Sequence, residues 1–236
     1  MAKDRNPLHR EVARNLSERI LSGELPERSL LPTERELCEA MGVSRTVIRE
    51  AIQLMETRGL VRIERGRGTV VQEAHAGPLT ETLKLFLRRR GHVLQDLLEV
   101  RKIFEVGITG LAAERRTETH LRAMEQALET MRRNPSTPEG YVDADIAFHN
   151  EIGRASQNPV VLVLLEPLTD LLRESRLTSF SGPRMVKQRT RQHEEIYGRI
   201  CARDIEGARQ AMARHLGDTE KDLARRQNLK RIQTLP

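Results

Sequence analysis

The chain has 236 residues, with 40 Lys+Arg against 34 Asp+Glu and a formal net charge of +6, a length that accommodates one large domain or two ordinary ones with a sizeable core. Its two cysteines, Cys38 and Cys201, lie far apart without paired spacing, which argues against a disulfide framework and for reduced structural thiols. The N-terminus lacks an apolar signal segment and the longest apolar run, Val160–Leu165, is too short to span a bilayer, so a cytoplasmic protein without membrane contact is expected.

The basic balance is weak evidence for a nucleic-acid partner by itself, because residues 1–73 hold 13 Lys+Arg and 12 Asp+Glu, leaving +5 of the charge to the remainder. Where the arginines fall matters more.

Taken in order, the chain opens with an amphipathic helix from about Leu8 to Ser22, on which Val12, Leu16 and Ile20 form a stripe. A turn at Gly23-Glu24-Leu25-Pro26 follows. Thr33-Glu34-Arg35-Glu36, just after Pro32, is a capping box that predicts a short helix with Leu37, Ala40 and Met41 on its buried side. Gly42-Val43 ends it, and Ser44 caps the next helix, which turns Val47, Ile48, Ala51, Ile52 and Met55 to one face. Arg45, Thr46, Arg49 and Gln53 share the opposite face, where packing has no need of them and phosphates and base edges do. Helix, glycine turn and polar-tipped second helix together predict a helix-turn-helix. Beyond Gly59, Leu60–Ile63 and Thr69–Val71 read as strands joined by Arg65-Gly66-Arg67-Gly68, a hairpin wing with arginines at its tip.

These words, Leu31-Pro32-Thr33-Glu34-Arg35-Glu36-Leu37, Gly42 to Ala51, Leu60-Val61 and Gly66-Arg67-Gly68, resemble the winged helix-turn-helix of the GntR family of bacterial transcription regulators, continuously from about Leu8 to Val71. The resemblance implies DNA contacts from Arg35, Ser44, Arg45, Thr46, Arg49 and Gly66. A basic helix face alone is more often a solvated face; helix, turn, helix and wing together favour the DNA reading.

Ala74-His75-Ala76-Gly77-Pro78 has no periodic apolar pattern and is read as a linker, giving a DNA-binding domain over 1–73, a linker over 74–78, a helical domain over 79–228 and a C-terminal tail over 229–236. Helices are expected near Leu79–Arg89, Leu94–Arg116, Leu121–Arg133, Tyr141–Ala155, Val160–Phe180, Arg184–Arg203 and Ile205–Arg226. Breaks fall at Gly91, at Asn134-Pro135-Ser136-Thr137-Pro138, at Asn158-Pro159 and at Ser181-Gly182-Pro183, with a kink at Pro167. The fold class is therefore mainly α: a winged helix-turn-helix with a small hairpin wing, followed by an all-α helical bundle, which the resemblance given below implies is an effector domain.

Asp145 and His149, four apart, share a helix face, and His193 and His215 sit within later helices. Three imidazoles and a carboxylate on three helices suit a divalent transition metal such as zinc, nickel or manganese, although an Asp–His pair at this spacing is more often only solvated or locally hydrogen-bonded. The run Asp145 to His149, Ala155 to Val160, His193 to Ile196 and Ala208 to His215 resembles the FCD effector domain of the FadR subfamily. That resemblance implies that Asp145, His149, His193 and His215 hold a metal, zinc first, at the bottom of an effector cavity, and that Arg101 binds the carboxylate of a small organic acid. Arg101 read alone also fits a surface salt bridge with Glu105. His9, His75, His92 and His120 match no motif and are expected at the surface.

The resulting expectation is a homodimeric, ligand-responsive regulator, a repressor in the first instance, bound to an approximately palindromic operator on double-stranded DNA. Two rivals remain: a constitutive DNA-binding protein with a structural metal, and a non-haem metalloenzyme built on two histidines and Asp145.

Overall fold

The computed structural model describes residues 7–90, 94–133 and 137–233, and the chain divides into two compact units, Met1–Pro78 and Leu79–Pro236. The expected breaks at Gly91 and at Asn134-Pro135-Ser136, and His92, lie outside the described residues, as do the last three positions of the expected tail.

In the first unit, α1 (Leu8–Leu21) packs on α3 (Arg45–Thr57), with α2 (Glu34–Met41) beside it. Val12, Leu16, Leu37, Ile48, Ala51, Ile52 and Met55 are buried in one cluster, the apolar faces that three- and four-residue spacing predicts. On α2, Leu37 is buried and Met41 half-buried, but Ala40 is exposed: only residues four apart stay on the narrow buried face of so short a helix. The α2 cap is a full capping box, in which the Thr33 N–H donates to Glu36 Oε2 at 2.8 Å and the Glu36 N–H to Thr33 Oγ1 at 3.3 Å. A cap of this kind contributes about 1 kcal/mol. Gly42 closes α2 in the left-handed region at φ 66°, where a side chain would be strained.

The wing is β1 (Val61–Glu64) paired antiparallel with β2 (Gly68–Val71), in the register Val61 to Val71 and Glu64 to Gly68. Leu30 adds an isolated bridge to Val70, supported by the Leu31 N–H on Thr69 O at 2.8 Å and the Val71 N–H on Ser29 O at 2.9 Å. Residues 29–31 thus serve as a third, very short strand, too brief for alternation to announce it.

Past the wing, α4 (Gly77–Arg90) starts two residues before the expected Leu79 and has Pro78 in its first turn, where the missing N–H costs nothing. The helical unit continues with α5 (Leu94–Arg115), α6 (Glu118–Arg133), α7 (Pro138–Ala155), α8 (Pro159–Ser179), α9 (Pro183–Cys201) and α10 (Ile205–Gln233). Pro138, Pro159 and Pro183 open their helices rather than merely separating them. α8 runs through Pro167, and α10 extends past Arg226, where the apolar period ends. Phe148, Ile152, Met124, Leu128, Met131, Ile196, Ile200 and Met212 build the main core, and α5 is packed by α7, α8, α9 and α10. Among the described residues no helix is long and apolar enough to cross a membrane.

Candidate functional site

At the N-terminus of α3, Ser44 Oγ accepts the Val47 N–H at 3.4 Å, so the cap presents Arg45 and Thr46 just inside the helix, both exposed. Arg35, Arg49 and Gly66 are exposed as well. Arg49 is not free: its Nε donates to Glu34 Oε2 at 2.9 Å and Oε1 at 3.0 Å, an exposed pair linking α3 to α2. Gly66 sits at the wing turn with φ 78°. Beside it, Arg62 and Arg67 both pair with Glu64, whereas Arg65 projects from the tip, exposed.

In the helical unit, Asp145, His149, His193 and His215 converge, each buried, with one ligand atom apiece all within 4.8 Å of one another. His193 Nε2 is 3.2 Å from Asp145 Oδ1 and 3.3 Å from His149 Nε2, and His149 Nε2 is 3.9 Å from Asp145 Oδ1. The outer ring atoms decide which nitrogen faces inward. Gln192 donates its amide to Asp218 Oδ2 at 2.9 Å, which turns its Oε1 to His215 Nδ1 at 3.1 Å. That places the His215 proton on Nδ1 and the lone pair on Nε2. His149 Nδ1 lies 2.5 Å from Glu105 Oε2, close but poorly aligned for a hydrogen bond, and the carboxylate charge fixes the same tautomer. His193 Nδ1 is buried without a hydrogen-bond partner among the described residues.

The electrostatics suit a cation. Burial lowers His149 to about 4 against the opposing pull of Glu105, and burial with the neighbouring imidazoles holds His215 well below the usual histidine range. Burial pushes the Asp145 carboxyl up, but Arg176, with Nε 3.1 Å from Oδ2, and the imidazoles outweigh it and hold Asp145 ionised. Glu105 is likewise raised by burial and brought down to about 2 by Arg101 and His149. Neutral imidazoles with inward lone pairs, an ionised carboxylate and outer acceptors are what a bound transition metal requires. A tetrahedral zinc with bonds of about 2.0–2.1 Å spaces its ligands roughly 3.3 Å apart, a spacing the contacts of His193 with His149 and Asp145 already have.

A cavity of about 30 Å³ borders this cluster, lined by Asp145 and His215 and by Arg101, Tyr141, Arg176, Arg189 and Thr219 among apolar side chains. Arg101 is 2% exposed and pairs with Glu105 inside the protein, not at its surface. Burial and the nearby Arg101 depress Arg176 to about 10. Spacing alone pointed to none of Tyr141, Arg189 and Thr219, yet each stands four residues from Asp145, His193 and His215 respectively, so three helices each carry a cavity-lining residue one turn from a member of the cluster. No sequence signal marks Arg176 or Gln192. Of the remaining histidines, His75 is exposed, but His9 and His120 are half-buried, His9 through its pairing with Glu50 at 3.3 Å.

A winged helix-turn-helix followed in the chain by an all-helical unit is the build of a DNA-binding transcription regulator. The gntR family of bacterial regulatory proteins matches residues 8–71, and the FCD domain matches residues 96–218. The HTH-type transcriptional regulator LutR of Bacillus subtilis (strain 168) is 33% identical over 210 residues, 87% of this chain and 96% of that protein. The Glc operon transcriptional activator of Escherichia coli (strain K12) is 31% identical over 232 residues, 94% of this chain and 91% of that one. A solved structure, Streptococcus agalactiae GntR, superposes with a TM-score of 0.69 at 25% identity, covering 90% of this chain and 99% of that chain. The chain belongs to the GntR family of DNA-binding transcription regulators, in its FadR-type branch that carries an FCD domain.

Proposed function

We propose that this regulator binds its operator as a homodimer and that a small organic acid, seated in the helical cavity against a metal held by Asp145, His149, His193 and His215, controls that binding. The observation that carries the reading is the convergence of those four side chains on one another, beside a cavity that Asp145, His215 and Arg101 line. The ion would act there as a Lewis acid that ligates an oxygen of the acid; zinc fits best, with nickel or manganese also suited to the donor set. Arg101 offers a guanidinium to the carboxylate, while Glu105 and Gln192 orient two of the imidazoles.

At the DNA, Arg45, Thr46, Arg49 and Ser44 would read one half-site in the major groove, with Arg35 on phosphate and Gly66 letting the wing backbone approach. Two protomers then match an approximately palindromic operator, with the helical unit as the dimerisation element. A coupling of about 1–3 kcal/mol between acid and DNA gives a useful response. Repression is the simplest output; the similar Glc operon protein is named an activator, and the sign is set by where the operator lies.

The test is a thermal-shift screen of the full chain against small organic acids, before and after chelation, followed by operator binding with each hit. Stabilisation by one class of acid, lost with the metal and accompanied by altered DNA affinity, is expected. Operator affinity indifferent to every acid and to the chelator would instead favour a constitutive regulator with a structural metal.

A further inference from the structure

The side chains around the cavity carry a surplus of positive charge, which a divalent ion on the tetrad would raise beyond what a single carboxylate can answer. Arg101 on α5, Arg176 on α8 and Arg189 on α9 all border the cavity, against two buried carboxylates, Glu105 and Asp145. Asp222, which accepts from Arg189 Nη2 at 3.1 Å, is 42% exposed and is not among the residues that line the cavity. A divalent ion on the tetrad would add two further charges in a setting with little water to screen them.

The hydrogen-bond inventory points the same way. Arg101 Nη2, Arg189 Nε and Tyr141 Oη are buried without hydrogen-bond partners among the described residues. All three are donors on residues that line the cavity, and burial keeps the Tyr141 phenol protonated. Buried donors of this kind call for acceptors. They also come from separate sides: Tyr141 and Arg189 precede Asp145 and His193 by one turn on α7 and α9, whereas Arg101 projects from α5. The cavity is small, at about 30 Å³, which favours a short ligand over a long-chain one.

Resting on the reading of this cavity as the effector site, we propose that the effector is a compact dianion, a short dicarboxylate, with one carboxylate held at Arg101 beside the tetrad and the other by Arg189 and Tyr141. Arg189 is then the residue that separates dicarboxylates from monocarboxylates.

Calorimetric titration of the zinc-loaded full chain with matched pairs, succinate against butyrate and malate against 3-hydroxybutyrate, tests this. The dicarboxylate of each pair is expected to bind at least about tenfold more tightly. Arg189→Gln should erase that gap while zinc stoichiometry stays at its wild-type value, and Tyr141→Phe, which removes only a hydroxyl, should narrow it. Equal affinities within each pair, or a gap that survives Arg189→Gln, would overturn the dianion while leaving an effector site intact. If no acid of either class binds zinc-loaded protein, the dianion and the effector site fall together.

Discussion

His149 Nε2 and His193 Nε2 face each other at 3.3 Å in a fully buried pocket, with Asp145 Oδ1 beside both. Two imidazole nitrogens at that distance repel unless a proton or a cation lies between them. Replacing both rings by alanine, His149→Ala with His193→Ala, should therefore abolish stoichiometric zinc, nickel or manganese in elemental analysis of purified protein. A full metal complement in the double variant would show that the ligands lie elsewhere.

Removal of the metal should expose an acid sensitivity. Burial keeps His149 neutral in the folded chain down to about pH 4, whereas in the unfolded chain it takes up a proton near its ordinary 6.5. The folded state therefore binds fewer protons between those values, and its stability is complete above 6.5 and falls as pH drops towards 4, by roughly 3 kcal/mol at most. Glu105, held near 2 by Arg101 and His149 against the upward push of burial, adds a second loss from about pH 4.5 down. Thermal denaturation of the chelated protein should show Tm declining below pH 6.5, with a shallower decline for His149→Gln. A flat profile from pH 7 to 4.5 would contradict the assigned burial of a neutral imidazole.

On the DNA side, Arg45→Ala or Arg49→Ala should each cost about 1–3 kcal/mol of specific operator binding and leave the helical unit folded. Arg35→Ala, acting on phosphate, should lower affinity evenly across sequences and flatten the salt dependence. Fluorescence anisotropy with operator and scrambled duplexes separates the two patterns, and undiminished operator binding by both the Arg45 and Arg49 variants would remove α3 from the reading role.

Glu34 bears on the same question from the opposite direction. Its carboxylate occupies Arg49 Nε in the free protein, an exposed contact worth little for stability. Glu34→Gln should leave Tm nearly unchanged and strengthen DNA binding severalfold at low salt, since phosphate no longer competes for the guanidinium. Weakened binding would mean that Glu34 aims Arg49 rather than restrains it.

Much of this architecture was legible in the residues. Capping boxes, left-handed glycines and three- and four-residue periodicity are local rules, so α1, α2, α3 and the wing follow from sequence neighbours. The third strand segment at Leu30 escapes because its partner, Val70, is remote and the segment is too short to alternate. Prolines 138, 159 and 183 mark boundaries either way, as breaks or as first-turn residues, and only the backbone decides. At the cavity, Glu105 and Tyr141 sit four residues from residues already singled out. Arg176 and Gln192 reach the site only through packing of α8 and α9, which no spacing in the chain encodes.

The placing of cavity-lining residues one turn from the buried cluster on the same helices has a further consequence for how such a protein changes over time. On the proposed reading, substitutions at Tyr141, Arg189 and Thr219 would alter what the cavity accepts without replacing any of the four side chains one turn away. A lineage of such proteins could then retune its chemical sense in single steps, each leaving the Asp145, His149, His193 and His215 cluster and the folded core intact.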